Sequence, residues 1–352
     1  MRLVTFPGQG TPISIPMLKS VIRNKGKEFQ TVLDNCGEKS NDLLQFILKN
    51  PSSPGSIAAC SNLYYQLYKT TETRPKKSVL LGHSLGELVC LSANNLFSLK
   101  DLFDIANYRN ELMVQYTENY LHAHRISRSS LFEMWALSSP RARNLPEEVT
   151  QLLSALPIGT VSIANANSIK QCVVTGLVED LESLRTELHL KIPLLRITEL
   201  TNPFNIPFHN STVLRPLQER LYDYIWQILK RNNTHTLTEL DYPIIANLDG
   251  RISFLVRHAL ERFVKCSSNT VQFTMCYDTI NNDLAKDLDE AVCIGPGNVI
   301  YNLIRRNCPH LKTYEYSSLT TIEKFHDAHV NDNEKSSFKK QVDDGNEIEN
   351  KI

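Results

Sequence analysis

The chain predicts an α/β fold: a largely parallel sheet flanked by helices, with a smaller βαββαβ unit inserted into it. Three observations carry this reading. Short apolar strand-like runs alternate with longer amphipathic helical patterns in the first part of the chain. A strand, a sharp glycine-bracketed turn and a helix follow one another around Gly82-His83-Ser84-Leu85-Gly86-Glu87. Between about Ser127 and Leu200 the rhythm changes to shorter, more evenly mixed strands and helices.

Taken in order, Leu3 to Phe6 reads as a strand that runs into Pro7-Gly8-Gln9-Gly10. Helical patterns follow from about Pro16 to Lys49 and from Ser56 to Lys69, and the apolar run Ser78-Val79-Leu80-Leu81 is the next strand. Asp101 to Tyr120 is a long amphipathic helix with Leu102, Ile105, Ala106, Leu112 and Met113 on its apolar side. In the insert, Leu131 to Leu137 is strand, Pro146 to Leu156 helix, Gly159 to Ala164 and Gln171 to Thr175 strands, Val178 to Leu190 helix and Leu194 to Thr198 strand. That order is the ferredoxin-like arrangement, expected to pack over the larger unit and leave a cleft. The large unit resumes near Thr201. Past Thr321 the chain is rich in Asn, Asp, Glu and Lys and predicts a disordered tail. The expected divisions are 1–126 and 201–320 for the two parts of the large unit, 127–200 for the insert and 321–352 for the tail.

Lysine plus arginine and aspartate plus glutamate both number 38, so no global field favours nucleic acid or an anionic membrane. The eight cysteines form no Cys-x-x-Cys pair and have no matching histidine spacing, which reads as reduced thiols and no zinc site. No apolar run approaches the roughly 18 residues of a membrane span, and no secretory signal peptide is evident. The start is basic: Arg2, Lys19, Arg23, Lys25 and Lys27 precede the first acid, Glu28. Such a start suits mitochondrial import and equally an ordinary first helix with a solvated basic face. Cleavage is not expected, because Leu3 to Phe6 already reads as a strand.

The turn at Ser84 is a nucleophile elbow. It holds a serine hydroxyl proud of the sheet beside the first N–H groups of a helix, which have no partner within that helix and point at developing negative charge. A serine needs a base, and ten histidines compete. His122, His124, His326 and His329 read as surface residues. His83 adjoins the serine but diverges from it at a sharp turn. His209, in the proline-bearing loop Asn205-Ile206-Pro207-Phe208-His209, is the best candidate. Gln9 lies between two glycines that let backbone approach a ligand. Arg109 sits in a mostly apolar helical stretch, where its fork would grip a carboxylate, snorkel to solvent or pair with an acid such as Asp104.

The segments Phe6-Pro7-Gly8-Gln9-Gly10, Gly82-His83-Ser84-Leu85-Gly86-Glu87, Tyr108-Arg109-Asn110, Pro207-Phe208-His209 and Gly295-Pro296-Gly297 occur in an order that resembles the malonyl-CoA:acyl carrier protein transacylases and the related acyltransferase domains of fatty-acid and polyketide synthases. The resemblance covers about residues 1 to 318. It implies an α/β-hydrolase-like large subdomain, Ser84 as nucleophile, His209 as base, and the N–H groups of Gln9 and Leu85 as oxyanion hole. It further implies that Arg109 holds the malonyl carboxylate and that the main-chain carbonyl of Gln272 orients the histidine. Asn165 and Asn167 would line the cleft, and Phe208 matches the pattern that goes with malonyl rather than bulkier extender units.

The activity so implied is malonyl transfer from malonyl-CoA to the phosphopantetheine thiol of acyl carrier protein, feeding type II fatty acid synthesis. No tightly bound cofactor, nucleic acid or membrane insertion is expected, and the protein is expected to be a monomer of the mitochondrial matrix, with the cytoplasm as the alternative. Two departures touch detail: Ser130-Leu131-Phe132-Glu133-Met134-Trp135-Ala136 replaces a Gly-Ala-Met type segment, and Leu88 stands where an aromatic residue is frequent. Competing readings are a serine esterase or thioesterase, and a scaffold that only binds a carrier protein. The loop Arg74-Pro75-Lys76-Lys77 is a candidate contact for CoA phosphates.

Overall fold

The computed structural model describes residues 1–72, 76–127, 131–156 and 159–329. Among the described residues ten strands form two sheets: β1 (Arg2–Phe6), β2 (Ser78–Gly82), β7 (Glu239–Ile245), β8 (Ile252–Leu255), β9 (Glu290–Ile294) and β10 (Lys312–Tyr316) in one, and β3 (Phe132–Ser138), β4 (Ser162–Ser168), β5 (Gln171–Leu177) and β6 (Arg196–Leu200) in the other.

The six-stranded sheet has the order β10-β9-β1-β2-β7-β8. All its neighbours are parallel except β7 and β8, which close one edge as an antiparallel pair. Its central strands are apolar on both faces, as helix-covered parallel strands must be. Val4, Phe6 and Leu80 enter one core with the helix Pro54–Thr71, while Leu3, Val79 and Leu81 enter a second on the opposite face with Val271, Phe273 and Ile300. The long helix Leu99–Ala123 starts two residues before the apolar pattern suggests, because Ser98 and Asp101 form a reciprocal capping box.

The second sheet is antiparallel, in the order β4-β5-β3-β6. The helices Leu145–Ala155 and Val178–Lys191 cover one face with Leu145, Val149, Leu181, Leu184 and Leu188. Its β4 lies later than the apolar pattern places it and includes Asn165 and Asn167, accommodated by irregularities at Ile163/Asn165 and Ala166/Ser168. Leu194 has a positive φ of 53° and so belongs to the turn before β6. Two backbone hydrogen bonds tie β4 to Val271, which lies outside both sheets in the second core of the large unit: Val271 N–H to Ala164 O and Ala166 N–H to Val271 O, both 2.9 Å.

The expectation of disorder from residue 321 is corrected over 321–329. Residues 319–329 are helical, with Ser318 and Thr321 hydrogen-bonded to each other at the start. Ile322 and Phe325, three apart on one face, are buried, and Phe325 packs edge-on against Tyr68, Tyr314 and Tyr316. His329 likewise leaves the expected surface role: its Nε2 lies 3.2 Å from Glu290 Oε2. The remainder of the expected tail, 330–352, lies outside the described residues, as do Arg74, Pro75 and Ser130. Lys76, from the same basic loop, places its ammonium 2.6 Å from Glu290 Oε1.

Candidate active site

The elbow follows directly from β2. Gly82 ends the strand, and Ser84 adopts φ 51° and ψ −106°, a sparsely populated region for a residue with a Cβ. Such a backbone costs on the order of 1–3 kcal/mol and persists only where its surroundings over-determine it. They do so here. A Cβ on Gly82 would stand 1.9 Å from Gly86 C, and one on Gly86 2.5 Å from Phe6 O, so both glycines are required by close packing of strand, turn and helix. His83 N–H donates to Phe6 O at 3.0 Å, and Ser84 N–H to Asn247 Oδ1 at 2.7 Å. Leu85, buried, opens the helix Leu85–Ala93, so its N–H has no acceptor within the helix.

Ser84 Oγ lies 2.7 Å from Nε2 of His209, which is 3 % exposed. The other ring nitrogen, Nδ1, faces two carbonyls, Cys266 O at 2.7 Å and Asn269 O at 3.1 Å. Carbonyls only accept, so Nδ1 carries the proton and Nε2 presents its lone pair to the serine hydroxyl. Burial, reinforced by the nearby Arg109 cation, pulls His209 down to about 3. The imidazole is therefore a neutral base at physiological pH.

Arg109 projects from the helix Leu99–Ala123 and is 1 % exposed. Its Nε donates to Ser267 Oγ at 3.0 Å, its Nη2 reaches to 3.5 Å from Ser84 Oγ, and its Cζ sits 5.8 Å from the Phe263 ring centroid. Burial lowers it to about 10, which leaves it charged at neutral pH. Among the described residues it joins no ion pair. A buried cation without an anion beside a nucleophile is a site built for an anionic ligand.

Gln9 is brought to the same place. Its Nε2 donates to Asn110 Oδ1 at 3.0 Å, next to Arg109, and a Cβ on Gly8 would meet His83 O at 2.8 Å, so the loop after β1 packs directly on the elbow. Gln9 Oε1 is buried without a partner. Phe208, half-buried, packs against the large core beside His209.

One assignment changes. The carbonyl of Gln272 does not receive His209; it accepts from Cys276 N–H at 3.2 Å, because Gln272 caps the short helix Phe273–Asp278. The carbonyls that orient the histidine come from the preceding turn. Asn167 has its amide oxygen engaged with the residue before the serine. That oxygen lies 3.0 Å from His83 Nε2, and His83 also packs 4.8 Å from the Phe273 ring, so the pair braces the elbow against the second sheet. Asn165 Oδ1 is buried and unpartnered.

Asn247, Ser267, Cys266 and Asn269 escape the sequence reading. Asn247 had a signal: it ends the apolar run Tyr242-Pro243-Ile244-Ile245-Ala246, at the C-terminal end of the strand beside the elbow strand, where α/β sites form. The other three act through a hydroxyl or backbone carbonyls, which residue type does not reveal. Behind the elbow, Glu87 is fully buried, both carboxyl oxygens lack partners, and burial pushes it up to about 8. Among the described residues no group of three or more His, Cys, Asp or Glu side chains could hold a metal ion, and no helix is long and apolar enough to cross a membrane.

No family model matches the chain. It is 65 % identical over 354 residues to the mitochondrial malonyl CoA-acyl carrier protein transacylase of Saccharomyces cerevisiae, covering 93 % of this chain and 98 % of that protein. Its fold is similar to the crystal structure of the malonyl CoA-acyl carrier protein transacylase of Clostridium perfringens, with a TM-score of 0.74 at 20 % identity over 96 % of this chain and 99 % of that one. It is also similar, at TM-score 0.70 and 17 % identity over 91 % and 97 % of the two chains, to a malonyl-transacylase in complex with its type II polyketide acyl-carrier protein.

Proposed function

The chain belongs to the malonyl CoA-acyl carrier protein transacylase family, and from that premise we propose how its residues divide the reaction. It transfers the malonyl group of malonyl-CoA to the phosphopantetheine thiol of acyl carrier protein, in the mitochondrion, for type II fatty acid synthesis. His209 Nε2 takes the Ser84 hydroxyl proton as Oγ attacks the thioester carbonyl. The tetrahedral oxyanion is met by the N–H groups of Leu85 and Gln9, and its collapse breaks the C–S bond and returns the proton to the CoA thiolate. In the second half, the carrier thiol gives its proton to His209, attacks the malonyl-serine ester and expels Ser84 Oγ, which recovers the proton. Both halves balance with the two thiols alone, so the reaction needs no further cofactor.

The observation that carries this reading is Arg109, a buried guanidinium that joins no ion pair among the described residues and whose Nη2 is 3.5 Å from Ser84 Oγ. A simple esterase has no use for it, whereas a malonyl group brings the missing carboxylate. The antiparallel sheet of residues 132–200 is read as a ferredoxin-like lid that narrows the cleft and limits hydrolysis of the ester. Phe208 fits selection of malonyl over bulkier α-substituted groups, and the protein is read as acting as a monomer. The test mixes the protein with labelled malonyl-CoA, stops the reaction quickly and locates the label by peptide mass. A malonyl ester on Ser84 that passes to holo carrier protein is expected. No ester on Ser84 would sink the transferase reading, and an ester that passes only to water would favour a thioesterase.

A further inference from the structure

The side chain of Asn247 is wholly buried and both ends of its amide act on the elbow. Oδ1 accepts from Ser84 N–H and Nδ2 donates to Gly82 O, each at 2.7 Å. These are backbone groups on either side of His83, one on the last residue of β2 and one just past it, beyond the ladder pairing with β7, whose register is Leu80 with Ile244. The amide thus continues the sheet by one step into a turn whose backbone is strained. Without it, the Ser84 N–H and Gly82 carbonyl would be buried and unpaired.

The main chain of Asn247 faces the base. Its carbonyl accepts from Gln272 N–H at 2.7 Å. That residue follows closely on Cys266 and Asn269, whose carbonyls hold His209 Nδ1. One residue therefore touches the support of the nucleophile through its side chain and the support of the histidine through its backbone. It reaches neither Ser84 Oγ nor the imidazole.

We propose that Asn247 is a positioning residue for acyl transfer: its amide fixes the rotation of the elbow so that Ser84 Oγ meets His209 Nε2, and it takes the Ser84 N–H out of the oxyanion hole, leaving that role to Leu85 and Gln9. The proposal rests on Ser84 being the nucleophile. It differs from a purely structural role in what it predicts. A residue that only supports the fold lowers the fraction of active protein, whereas one that sets the angle of attack lowers the rate of every active molecule.

Single-turnover acylation with labelled malonyl-CoA, and separately with acetyl-CoA, reads both quantities. In Asn247→Ala the final fraction of Ser84 esterified is expected to stay near that of the unmodified protein, while the acylation rate constant falls about 100-fold for both acyl groups, the scale of a misdirected nucleophile. The malonyl-CoA concentration giving half-maximal rate should shift by less than about threefold, since Arg109 is untouched. Asn247→Ser, whose hydroxyl can keep one of the two bonds, should fall between, at about tenfold. The proposal is overturned if either folded variant acylates at the unmodified rate, or if the labelled fraction drops while what remains reacts at that rate. Loss of folded protein in both variants would overturn it as well, since Asn247 would then serve the fold. Absence of an ester on the unmodified protein is a separate outcome and removes the nucleophile assignment itself.

Discussion

Two buried guanidiniums lie at opposite edges of the same sheet. Arg2, 2 % exposed, opens β1 and is paired across the ladder with Ser78 and Glu290, at the N-terminal ends of three parallel strands. Arg109, 1 % exposed, sits by the elbow, beyond the C-terminal ends. Arg2 is saturated with anions: Nε and Nη2 lie 2.8 and 2.7 Å from Glu290 Oε1, and Nη1 contacts Glu72 and the Tyr68 hydroxyl. Burial pulls it down, but Tyr68, Glu290 and Glu72 outweigh that and leave it raised. Arg109 hydrogen-bonds only to hydroxyls, and burial prevails over the weaker Coulombic pull of Cys266 and Glu87 and leaves it lowered. The sheet completes the charge at one edge and leaves it incomplete at the other, which is how a structural arginine differs from one reserved for a ligand.

Replacing Arg109 should have the largest effect and the sharpest selectivity. Arg109→Ala is expected to slow malonyl transfer by about 10³-fold, the equivalent of ~4 kcal/mol for a buried carboxylate left unpaired, while acetyl transfer is kept or rises. Steady-state rates with the two CoA esters check it. Equal losses for both would break the contrast with Arg2, because a missing carboxylate contact must discriminate.

Arg2→Met should do the converse. It takes the buried cation from Glu72 and Glu290, and loss of one partner of a buried pair costs on the order of 3 kcal/mol or more of stability, although Glu72 keeps Lys69 at 3.4 Å and the Tyr68 hydroxyl at 3.0 Å. Glu290 would still have Lys76 and His329, at 2.6 and 3.2 Å, to soften the loss. Urea unfolding should report the lower stability, and the folded variant should acylate Ser84 normally. An acylation rate that fell with it would mean that the two edges are not independent.

The contrast also explains what the sequence could show. Ser84, His209 and Arg109 each stand in a local pattern, and the structure brings His209 Nε2 and Arg109 Nη2 to 2.7 and 3.5 Å from Ser84 Oγ. Asn247 ends a strand-like apolar run, which marks its place but not its partners, and Ser267 gains meaning only from neighbours far along the chain. Gln272 is misassigned for a related reason: the histidine is held by main-chain carbonyls, any residue supplies one, and the chain path alone decides that Cys266 and Asn269 do. At the Arg2 edge, the helix over 319–329 is concealed by polar composition. Its two fully buried apolar residues, Ile322 and Phe325, with the half-buried Leu319 at its start, stand in a run of charged residues that hides the amphipathic pattern, yet Phe325 lies 5.8 Å under the Arg2 guanidinium.

The smallest effect expected is a flat line. His209 at about 3 lies far below an ordinary histidine, through burial first and the Arg109 cation second. Its Nε2 should therefore stay unprotonated, and Ser84 acylation should change by less than about twofold between pH 8 and pH 5.5, whereas an ordinary imidazole near 6.5 would lose most of its base form. For stability, the unfolded chain binds the proton that the folded chain refuses, so His209 makes the fold less stable as pH falls from about 6.5 towards 3. Arg109→Ala removes the second cause and should move the acid limb of the acetyl-transfer profile to higher pH. Arg2→Met, at the far edge of the sheet, should leave that limb in place. If both variants moved it equally, the field at His209 would come from the whole sheet rather than from Arg109, and the distinction between the two edges would fail.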